Sequence, residues 1–462
     1  MRRLLLAATA AAVAFGAQAA DIYVSLSTGK NKNAGTKEAP LKNLWKALEK
    51  AETGDVIHLA EGNYPGKMKC GWFMMTKPVS IIGGYSADFA ARDPLTHRTL
   101  FQPANENNDK KGAGLGILHI EFEKSPAKAP KGFKMKLDGL IFDDGFASSY
   151  HAVKGKPEGF DTGMWLQGPA KNPADKCVSA DRYSIYSATA SRGEGDIEIE
   201  NCVFVNGSNM GVNLNWWKGE VEIENCVFVN GSNMGVNLNW WKGEVEIENC
   251  VFVNNRLIGA NVNCTNPKPA VKWEFKNNTV LFTWTTKNDL QGMGYGVRTN
   301  TKVESEIEDN VIGLNVMSGL DNTMGNPKEK KIKIDGNVFF LNRESDVQMT
   351  ISPSIAKVRV DGFEDLEGTD GIESIEDNVD LTDPKAFEGR IDPKYLNAFL
   401  TMKYSEKTKL DEGKCNALRS VLGLPLQGTI KTQCDMYANR YPWEMALKLF
   451  GALPGKGAQA IK

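Results

Sequence analysis

The stretch GSNMGVNLNWWKGEVEIENCVFVN occupies residues 207–230 and is repeated letter for letter at residues 231–254. The identity extends further toward the N-terminus, since 198–230 matches 222–254. Each copy holds three short apolar segments, none of which can bury a face by itself. Stacking successive copies would bury those faces, so the repeat predicts a solenoid in which each copy forms one coil.

The first segment begins with a glycine and then alternates acidic and apolar residues, as in Gly219-Glu-Val-Glu-Ile-Glu224. A period of two predicts a strand with Val and Ile inward and Glu outward. The segments Cys226-Val-Phe-Val229 and Met234-Gly-Val-Asn-Leu-Asn239 supply two further strands. An extra copy therefore adds one whole coil, about 4.8 Å of length, without changing the register. The letter identity indicates a recent DNA duplication or a deliberate engineering step.

An asparagine separates the first two segments of each copy, and we predict that it forms the bend between strands. Asparagine tolerates left-handed backbone, and its amide can stack on the amide of the next coil. Similar patterns recur further along the chain without identity. The predicted turn residues are Asn201, Asn225, Asn249, Asn278, Asn310 and Asn337.

Eight cysteines lie along the chain, and three of them, Cys202, Cys226 and Cys250, occupy the same place in successive copies. We predict a buried column of free thiols there, because stacked side chains point in parallel and have poor disulfide geometry. Cys415 and Cys434 lie in a helical-looking segment and are the predicted disulfide.

The N-terminus has two arginines, an apolar run from Leu4 to Phe15 and the sequence Ala17-Gln-Ala19. This pattern predicts a signal peptide over residues 1–19, with the mature chain starting near Ala20 or Asp21. The apolar run is shorter than the ~20 residues that a spanning helix needs, and no later segment qualifies. We therefore expect a secreted, periplasmic or cell-surface protein with no membrane span.

The charge and histidine content exclude two classes of function. A formal net charge of −2 over 462 residues gives no electrostatic case for nucleic-acid binding. The four histidines are scattered without metal-ligand spacing, so no metal site is predicted from them.

The pattern changes near Asp383, where proline begins to precede apolar-periodic stretches, as at Pro384, Pro393 and Pro442. Proline in the first turn is typical of helix starts. We predict a helical module over 383–462 after a solenoid over 20–382. The module would cap the solenoid end or dock a partner, and capping is the favoured role.

The Asn-centred turns, together with Gly35–Ala51, Gly54–Tyr64 and Ser80–Phe89, resemble the exported, pectate-lyase-like family of right-handed parallel β-helix proteins. The resemblance covers about residues 22–380. It implies an all-β fold, a right-handed parallel β-helix solenoid with an N-terminal capping helix and a small C-terminal helical module. One apolar helical face would cover the first coil; it consists of Leu41, Leu44, Trp45, Leu48 and Ala51.

The resemblance is specific for fold and weak for function, because this solenoid serves lyases, hydrolases, epimerases, adhesins and structural proteins. Lyases of the family use basic residues and often calcium-binding carboxylates, so calcium is the cofactor to expect if the chain is a lyase, and otherwise none. The basic candidates are Arg256, Lys276, Lys287, Arg298 and Arg343. The possible oxygen ligands are Asp138, Asp143 and Asp144.

The adjacent tryptophans are the strongest surface signal. Neighbouring residues of a strand alternate faces, so one tryptophan of each pair should point outward. An outward indole beside amides and a lysine suits a sugar ring, although packing under a neighbouring loop such as 145–194 is the alternative. The glycan-binding candidates are Trp216, Trp217, Trp240, Trp241, Asn215, Asn239, Lys218 and Lys242.

Three functions follow from these patterns. The favoured one is an exported, non-catalytic β-helix protein that binds glycans or assembles at the cell surface. Its partner would be a polysaccharide or another cell-surface component. The first alternative is a polysaccharide lyase or related carbohydrate-active enzyme, whose site should then lie wholly on one side of 198–254. The second is a structural solenoid that associates with itself.

Overall fold

A computed structural model describes most of the chain. The described residues are 19–66, 72–102, 116–122, 130–143, 183–187, 194–207, 209–231, 233–239, 241, 243–263, 272–285, 293–299, 304–322, 332–351, 356–360, 363–368, 371–381, 383–401, 412–421, 423 and 440–460. Within them, the chain folds into three long sheets that are built almost entirely from parallel strands.

Successive strands of the chain go to different sheets, so neighbouring strands within one sheet are about three strands apart along the chain. The first sheet contains β1 (Asp21–Val24), β2 (Val56–Ala60), β5 (Ser80–Tyr85), β8 (Lys131–Asp138), β11 (Glu194–Glu200), β14 (Val221–Glu224), β17 (Glu244–Glu248), β20 (Lys272–Lys276), β23 (Glu304–Glu308), β26 (Ile332–Asp335) and β30 (Ile372–Ser374). The second contains β3 (Gly62–Asn63), β6 (Thr99–Phe101), β9 (Leu140–Asp143), β12 (Val203–Val205), β15 (Val227–Val229), β18 (Val251–Val253), β21 (Thr279–Leu281), β24 (Val311–Gly313), β27 (Val338–Phe340) and β31 (Val379–Asp380). The third contains β4 (Phe73–Met75), β7 (Leu118–Ile120), β10 (Ile185–Ser187), β13 (Met210–Asn213), β16 (Met234–Asn239), β19 (Ile258–Asn263), β22 (Tyr295–Thr299), β25 (Ser318–Asn322), β28 (Ser345–Ile351) and β29 (Ala356–Val360).

One coil contributes one strand to each sheet, which is the architecture of a parallel β-helix. The two identical copies stack in exact sequence register, with Val203 beside Val227 and Val227 beside Val251. Only the final pair of the third sheet, β28 and β29, is antiparallel among the described strands. The predicted fold, a right-handed parallel β-helix, is therefore confirmed.

The interior is a column of stacked apolar side chains. Phe204 lies 4.6 Å from Phe228, and Phe228 lies 4.7 Å from Phe252, between ring centroids and with nearly parallel planes. Ile199, Ile223 and the other inward residues of the first sheet complete the core. Burying each such side chain contributes ~1.5–3 kcal/mol, so adding a coil adds its own core.

The bend between the first and second sheets follows the prediction in the repeated coils and departs from it later. Asn201, Asn225 and Asn249 have left-handed backbone, with φ of 50°, 52° and 51°. In the following coils, the left-handed residues are Asn277 and Asp309, and then Gly336.

The assignment of Asn278, Asn310 and Asn337 to the bend is therefore wrong by one residue. Thr279 pairs with Val251, so Asn278 stands beside Cys250 rather than beside Asn249. The physical reason is that a polar residue or glycine precedes each of these asparagines and takes the left-handed position. The asparagine then points into the coil.

These inward asparagines form a hydrogen-bonded ladder. The Nδ2 atoms of Asn278, Asn310 and Asn337 each donate to a backbone carbonyl of the coil before, at 2.8 Å. Their Oδ1 atoms accept a backbone N–H of that coil at 2.8–3.0 Å. All three side chains are fully buried, and the ladder satisfies backbone groups that the bend leaves without strand partners.

The cysteine column matches its prediction. Cys202, Cys226 and Cys250 are free and fully buried, and burial raises the pKa of the Cys202 and Cys226 thiols. Cys434 and the side chain of Cys415 lie outside the described residues, so the disulfide between them stays a prediction.

The N-terminal end of the core is covered as predicted. Helix α1 (Leu44–Lys50) buries Leu44 and Leu48, and it packs against strands β1 and β4. Leu41 and Ala51 are buried beside it, and Trp45 packs partly buried on the same cluster. Residues 1–18 of the predicted signal peptide lie outside the described part of the chain, so that segment stays a prediction.

The described part of the C-terminal module is helical, as predicted, and it packs along the side of the second sheet rather than over the end of the solenoid. It contains α2 (Pro393–Thr401), α3 (Glu412–Val421), α4 (Trp443–Ala446) and three-residue to four-residue 3-10 turns. Its apolar residues share one cluster with the outward valines of the second sheet. The reason is sequence pattern: Val-Phe-Val strands are apolar on both faces, so their outer face also needs a cover.

Hydrogen bonds anchor the module along the side of the solenoid. The backbone N–H of Tyr441 donates to Oδ1 of Asn230 at 2.9 Å, and Asn230 Nδ2 donates to the Tyr441 carbonyl at 3.0 Å. Lys456 pairs with Asp309 at 2.5 Å. The end of the solenoid is covered instead by the 3-10 turn Phe363–Leu366, whose Phe363 packs on Phe339.

None of the described helices combines the length and the apolar composition needed to cross a lipid bilayer.

Candidate functional site

A continuous column of polar side chains runs along the outer face of the third sheet. The residues next to these side chains in sequence, such as Ile185, Val236 and Leu320, belong to the core. The polar side chains therefore lie on the opposite face of the sheet. We call this set the third-sheet column. It consists of His119, Tyr186, Asn213, Asn237, Asn261, Arg298, Asp321 and Gln348, which pair in that order.

The middle of the column is a buried run of amides. Asn261 Nδ2 donates to Asn237 Oδ1 at 2.7 Å, and Asn237 Nδ2 donates to Asn215 Oδ1 at 3.4 Å. A second amide pair runs beside it, with Asn233 donating to Asn209 at 2.7 Å. These amides are spaced one per coil by the parallel register, so each coil repeats the same polar group.

The upstream end carries an imidazole, a carboxylate and two phenols. His119 Nε2 lies 3.6 Å from the carboxylate of Glu121, and the His119 ring packs edge-on against Tyr186 at 5.2 Å. Tyr183 stacks on Tyr186 at 4.5 Å. Burial, and then the charge of Glu121, raise the pKa of Tyr186. At neutral pH, Tyr186 is therefore a hydrogen-bond or proton donor rather than a base.

The downstream end carries a guanidinium and a buried carboxylate. Arg298 Nε donates to Asp321 Oδ2 at 2.8 Å, and the guanidinium lies 5.0 Å over the Tyr295 ring. Asp321 is fully buried, whereas 13% of the Arg298 side chain is exposed. Burial raises the pKa of Tyr295, which keeps this phenol protonated. Partly exposed Arg298 is the cation that a ligand in solvent can reach here.

The tryptophan pairs divide between surface and core. Trp216 is 43% exposed and has left-handed backbone, with φ of 66°. Trp217 is buried, and its Nε1 donates to the Gly195 carbonyl at 2.9 Å. Trp241 is fully buried in the next coil.

Trp217 and Trp241 are thus core residues, and their assignment as glycan-binding residues is corrected, because burial leaves no indole face for a sugar ring. Trp240 and Lys242 lie outside the described residues. Asn215 and Asn239 are half-buried, and Asn215 Oδ1 accepts the backbone N–H of Asn239 at 2.9 Å. Lys218 is also half-buried. Among the described members of the predicted set, Trp216 is the exposed residue, and half-buried Asn215 lies next to it in sequence.

The candidates taken from the family resemblance are scattered over the molecule. Lys276 joins an ion-pair network on the first sheet, Arg256 is buried, and Arg343 donates to the Phe399 carbonyl at 2.6 Å. Asp138 pairs with Arg92, and Asp143 accepts from Asn206. Lys287 and Asp144 lie outside the described residues. Arg298 is the described candidate that belongs to the third-sheet column.

Sequence reasoning missed His119, Tyr186, Asp321 and Gln348 as members of one site. A signal existed for the middle of the column, because Asn213, Asn237 and Asn261 align between copies. The ends carry no repeat signal, and loops of unequal length separate them along the chain. Only the strand register brings these residues into line.

The outer face of the first sheet is strongly acidic in the repeated coils. Burial, a hydrogen bond that Glu224 donates to Glu222, and the charges of Glu222, Glu200 and Glu248 raise the pKa of Glu224 to about 7. Burial and neighbouring glutamates also raise the pKa of Glu246. In the described ranges, no group of three or more His, Cys, Asp or Glu side chains is arranged to hold a metal ion.

Comparison with known proteins gives limited matches. A family model described as a protein of unknown function, DUF1565, matches residues 27–90. No curated protein sequence matches the chain.

Several solved structures match over most of the chain at low identity. A rhamnogalacturonan lyase is 12% identical with a TM-score of 0.44, and the match covers 85% of this chain and 95% of that one. Pectate lyase Pel9A is 15% identical with a TM-score of 0.42, covering 75% and 80%. The polygalacturonase from Erwinia carotovora ssp. carotovora is 11% identical with a TM-score of 0.32, covering 79% and 95%. The three parallel sheets of the chain itself make it a right-handed parallel β-helix protein, the architecture that its sequence resembles.

Proposed function

We propose that the protein binds polysaccharide chains without cleaving them, at the corner where the third sheet turns into the first. The exposed Trp216 carries this proposal. A bulky residue with positive φ costs on the order of 1–3 kcal/mol. Other bulky residues with positive φ, such as Phe282 and Leu314, are fully buried, whereas Trp216 is exposed. Trp216 leaves 43% of its surface in solvent, and a ligand contact is a reason to keep an indole exposed there.

The surroundings of Trp216 fit a sugar better than an apolar ligand. The amide of Asn215 lies next to it in sequence, and Asn213 of the third-sheet column lies two residues before Asn215. A sugar ring presents an apolar face to an indole and hydroxyl groups to amides. Arg298, further along the same face, would recognise an anionic substituent.

The first experiment measures binding of Trp216→Gly to a polysaccharide panel by pulldown and glycan array. Glycine accepts positive φ without strain, so this variant should keep or gain stability while losing at least tenfold in affinity. That combination separates a binding role from a packing role. Loss of stability with unchanged binding would overturn the proposal.

Leu95→Ala is the matched control, because Leu95 is a comparably exposed apolar residue, at 40%, on an N-terminal loop away from the column. It should leave glycan binding unchanged. Equal losses in both variants would indicate non-specific hydrophobic adsorption and would also contradict the proposal.

The second candidate function is a polysaccharide-cleaving enzyme, which the upstream His119–Glu121–Tyr186 cluster favours. An imidazole, a carboxylate and a protonated phenol within contact distance can serve as base and acid. This cluster lies wholly upstream of 198–254, as a site undisturbed by the duplication should. Product formation read at 235 nm (for unsaturated sugars) or as reducing ends, abolished by His119→Gln, would establish this alternative over non-catalytic binding.

A further inference from the structure

We propose that cleavage of the Ala19–Ala20 bond releases a mature chain whose new α-ammonium group forms an ion pair with Asp55. The cleavage requires the predicted signal peptide and a signal peptidase. It is independent of glycan binding. Hydrolysis of this bond consumes one water and leaves a carboxylate on Ala19 and an ammonium group on Ala20.

Asp55 already holds the nitrogen atom that would become this ammonium group. The Ala20 backbone N donates to Asp55 Oδ1 at 2.8 Å. The second carboxylate oxygen, Oδ2, accepts the Glu52 N–H at 2.8 Å. Asp55 is only 8% exposed, whereas Ala20 is exposed. A largely buried carboxylate is therefore aimed at the backbone nitrogen of an exposed residue.

Cleavage changes the chemistry of this contact without moving it. In the precursor, the Ala20 nitrogen is an amide with one hydrogen and no charge. In the mature chain, it would carry three hydrogens and a positive charge. The carboxylate would then face a charged donor instead of a neutral amide, so the hydrogen bond would become an ion pair, and a buried carboxylate is stabilised by a charged partner.

The same geometry discriminates between the two predicted start sites. The Ala20 carbonyl accepts the Val56 N–H at 2.9 Å, so Ala20 extends the pairing of β1 with β2 by one residue. Cleavage one bond later, before Asp21, would remove this acceptor as well as the donor to Asp55. Cleavage one bond earlier would place the charge on Ala19, one residue beyond the nitrogen that Asp55 holds.

The N-terminal strand has a second anchor one residue further on. Asp21 Oδ1 lies 2.8 Å from Nε2 of His58, on the outer face of the first sheet. Tyr23 stacks on the same imidazole at 4.7 Å. The edge strand would thus be tied by the ammonium group at its start and by His58 along its outer face.

The full-length precursor, expressed for export and purified from the exported fraction, tests the site directly by intact mass and N-terminal sequencing. The expected mature chain begins at Ala20. A chain beginning at Asp21, at Ala19 or at Met1 would overturn the proposal.

A second measurement tests the ion pair in the mature chain. The pKa of the α-amino group, followed by NMR titration, should lie at least one unit above the ordinary value of about 8. Asp55→Asn should return it to about 8, whereas Glu52→Gln, which removes a neighbouring exposed carboxylate, should leave it raised. An ordinary pKa in the unaltered protein, or equal shifts in both variants, would contradict the ion pair.

Discussion

The repeated coils and the coils after Lys272 close the same bend with different side chains. In the repeated coils, the inward position holds a thiol, and Cys250 Sγ donates to the Ile223 carbonyl at 3.4 Å. In the later coils, it holds an amide, and Asn278 Nδ2 donates to the Ile247 carbonyl at 2.8 Å. The inward position at the bend therefore requires a small hydrogen-bond donor that reaches the previous coil. An amide makes a stronger hydrogen bond there than a thiol does.

The two regions also differ on the outer face of the first sheet. The repeated coils stack glutamates on glutamates, and burial together with these neighbouring carboxylates raises the pKa of Glu224. In the later coils, Lys276 bonds to Glu274 and Glu306, each at 2.8 Å. Duplication copied one pattern letter for letter, and with it a column of like charges that the diverged coils neutralise.

The largest expected effect comes from deleting one copy, residues 231–254. A whole coil leaves the register intact, but it shortens the solenoid by ~4.8 Å beneath the C-terminal module. The module cannot keep both its Tyr441–Asn230 and its Lys456–Asp309 contacts, so we expect a loss of roughly 3–5 kcal/mol in the free energy of unfolding. Chemical denaturation would measure the loss of stability, and proteolysis would measure the exposure of the module. A module as resistant to proteolysis as in the unaltered protein would show that these two contacts do not hold it in place.

Asn310→Ala should produce the next largest loss, about 3 kcal/mol. The substitution leaves the Asn278 N–H and the Phe275 carbonyl without partners inside the core. Asn310→Cys, which imports the side chain of the repeated coils, should lose less. Denaturation midpoints of the two variants rank them, and equal losses would mean that the thiol does not replace the amide.

The reverse exchange, Cys226→Asn, should stabilise by about 1 kcal/mol, because an amide can reach the Ile199 carbonyl that the thiol contacts at 3.4 Å. Cys226→Ala, which removes the donor, serves as its control and should destabilise. A loss of stability in the asparagine variant would show that the repeated coils are too tightly packed for an amide.

The smallest effects concern pH, and they have opposite signs in the two regions. Glu224 has its pKa raised from 4.5 to about 7, so its folded form binds the proton more tightly, and stability falls as pH rises from about 4.5 through 7. Glu224→Gln should raise the melting temperature at pH 8 and have little effect at pH 4.5.

Glu306 behaves in the opposite way. Burial opposes its ionisation, but the hydrogen bonds from Lys276 and Lys272 prevail and lower its pKa from 4.5 to about 2. The stabilisation that ionised Glu306 gives the folded state is present above pH 4.5 and is lost as pH falls toward 2. Glu306→Gln should therefore lower the melting temperature at pH 7 and have little effect at pH 2. If the melting temperatures of Glu224→Gln and Glu306→Gln changed with pH in the same way, the opposite pH dependence expected of the two regions would be wrong.

The bend shows where prediction from sequence succeeds and where it fails by one residue. In the repeats, Glu-Asn-Cys offers only the asparagine for the bend, whereas Asn-Asn-Thr, Asp-Asn-Val and Gly-Asn-Val in the later coils place a second turn-forming residue before the asparagine. Composition alone does not say which of the two residues bends. The pairing of Thr279 with Val251 decides it, and pairing is a contact between distant parts of the chain.

Local pattern is enough to predict the coil: its length, its alternation of inward and outward residues, its buried thiols and its N-terminal covering helix. These follow from local periodicity and from exact repetition, which need no knowledge of distant contacts. The inward asparagine ladder, the lateral position of the C-terminal module and the third-sheet column emerge only in the folded chain. Each of these depends on which residues 24 or more positions apart are stacked, and loops of unequal length conceal that register from the sequence.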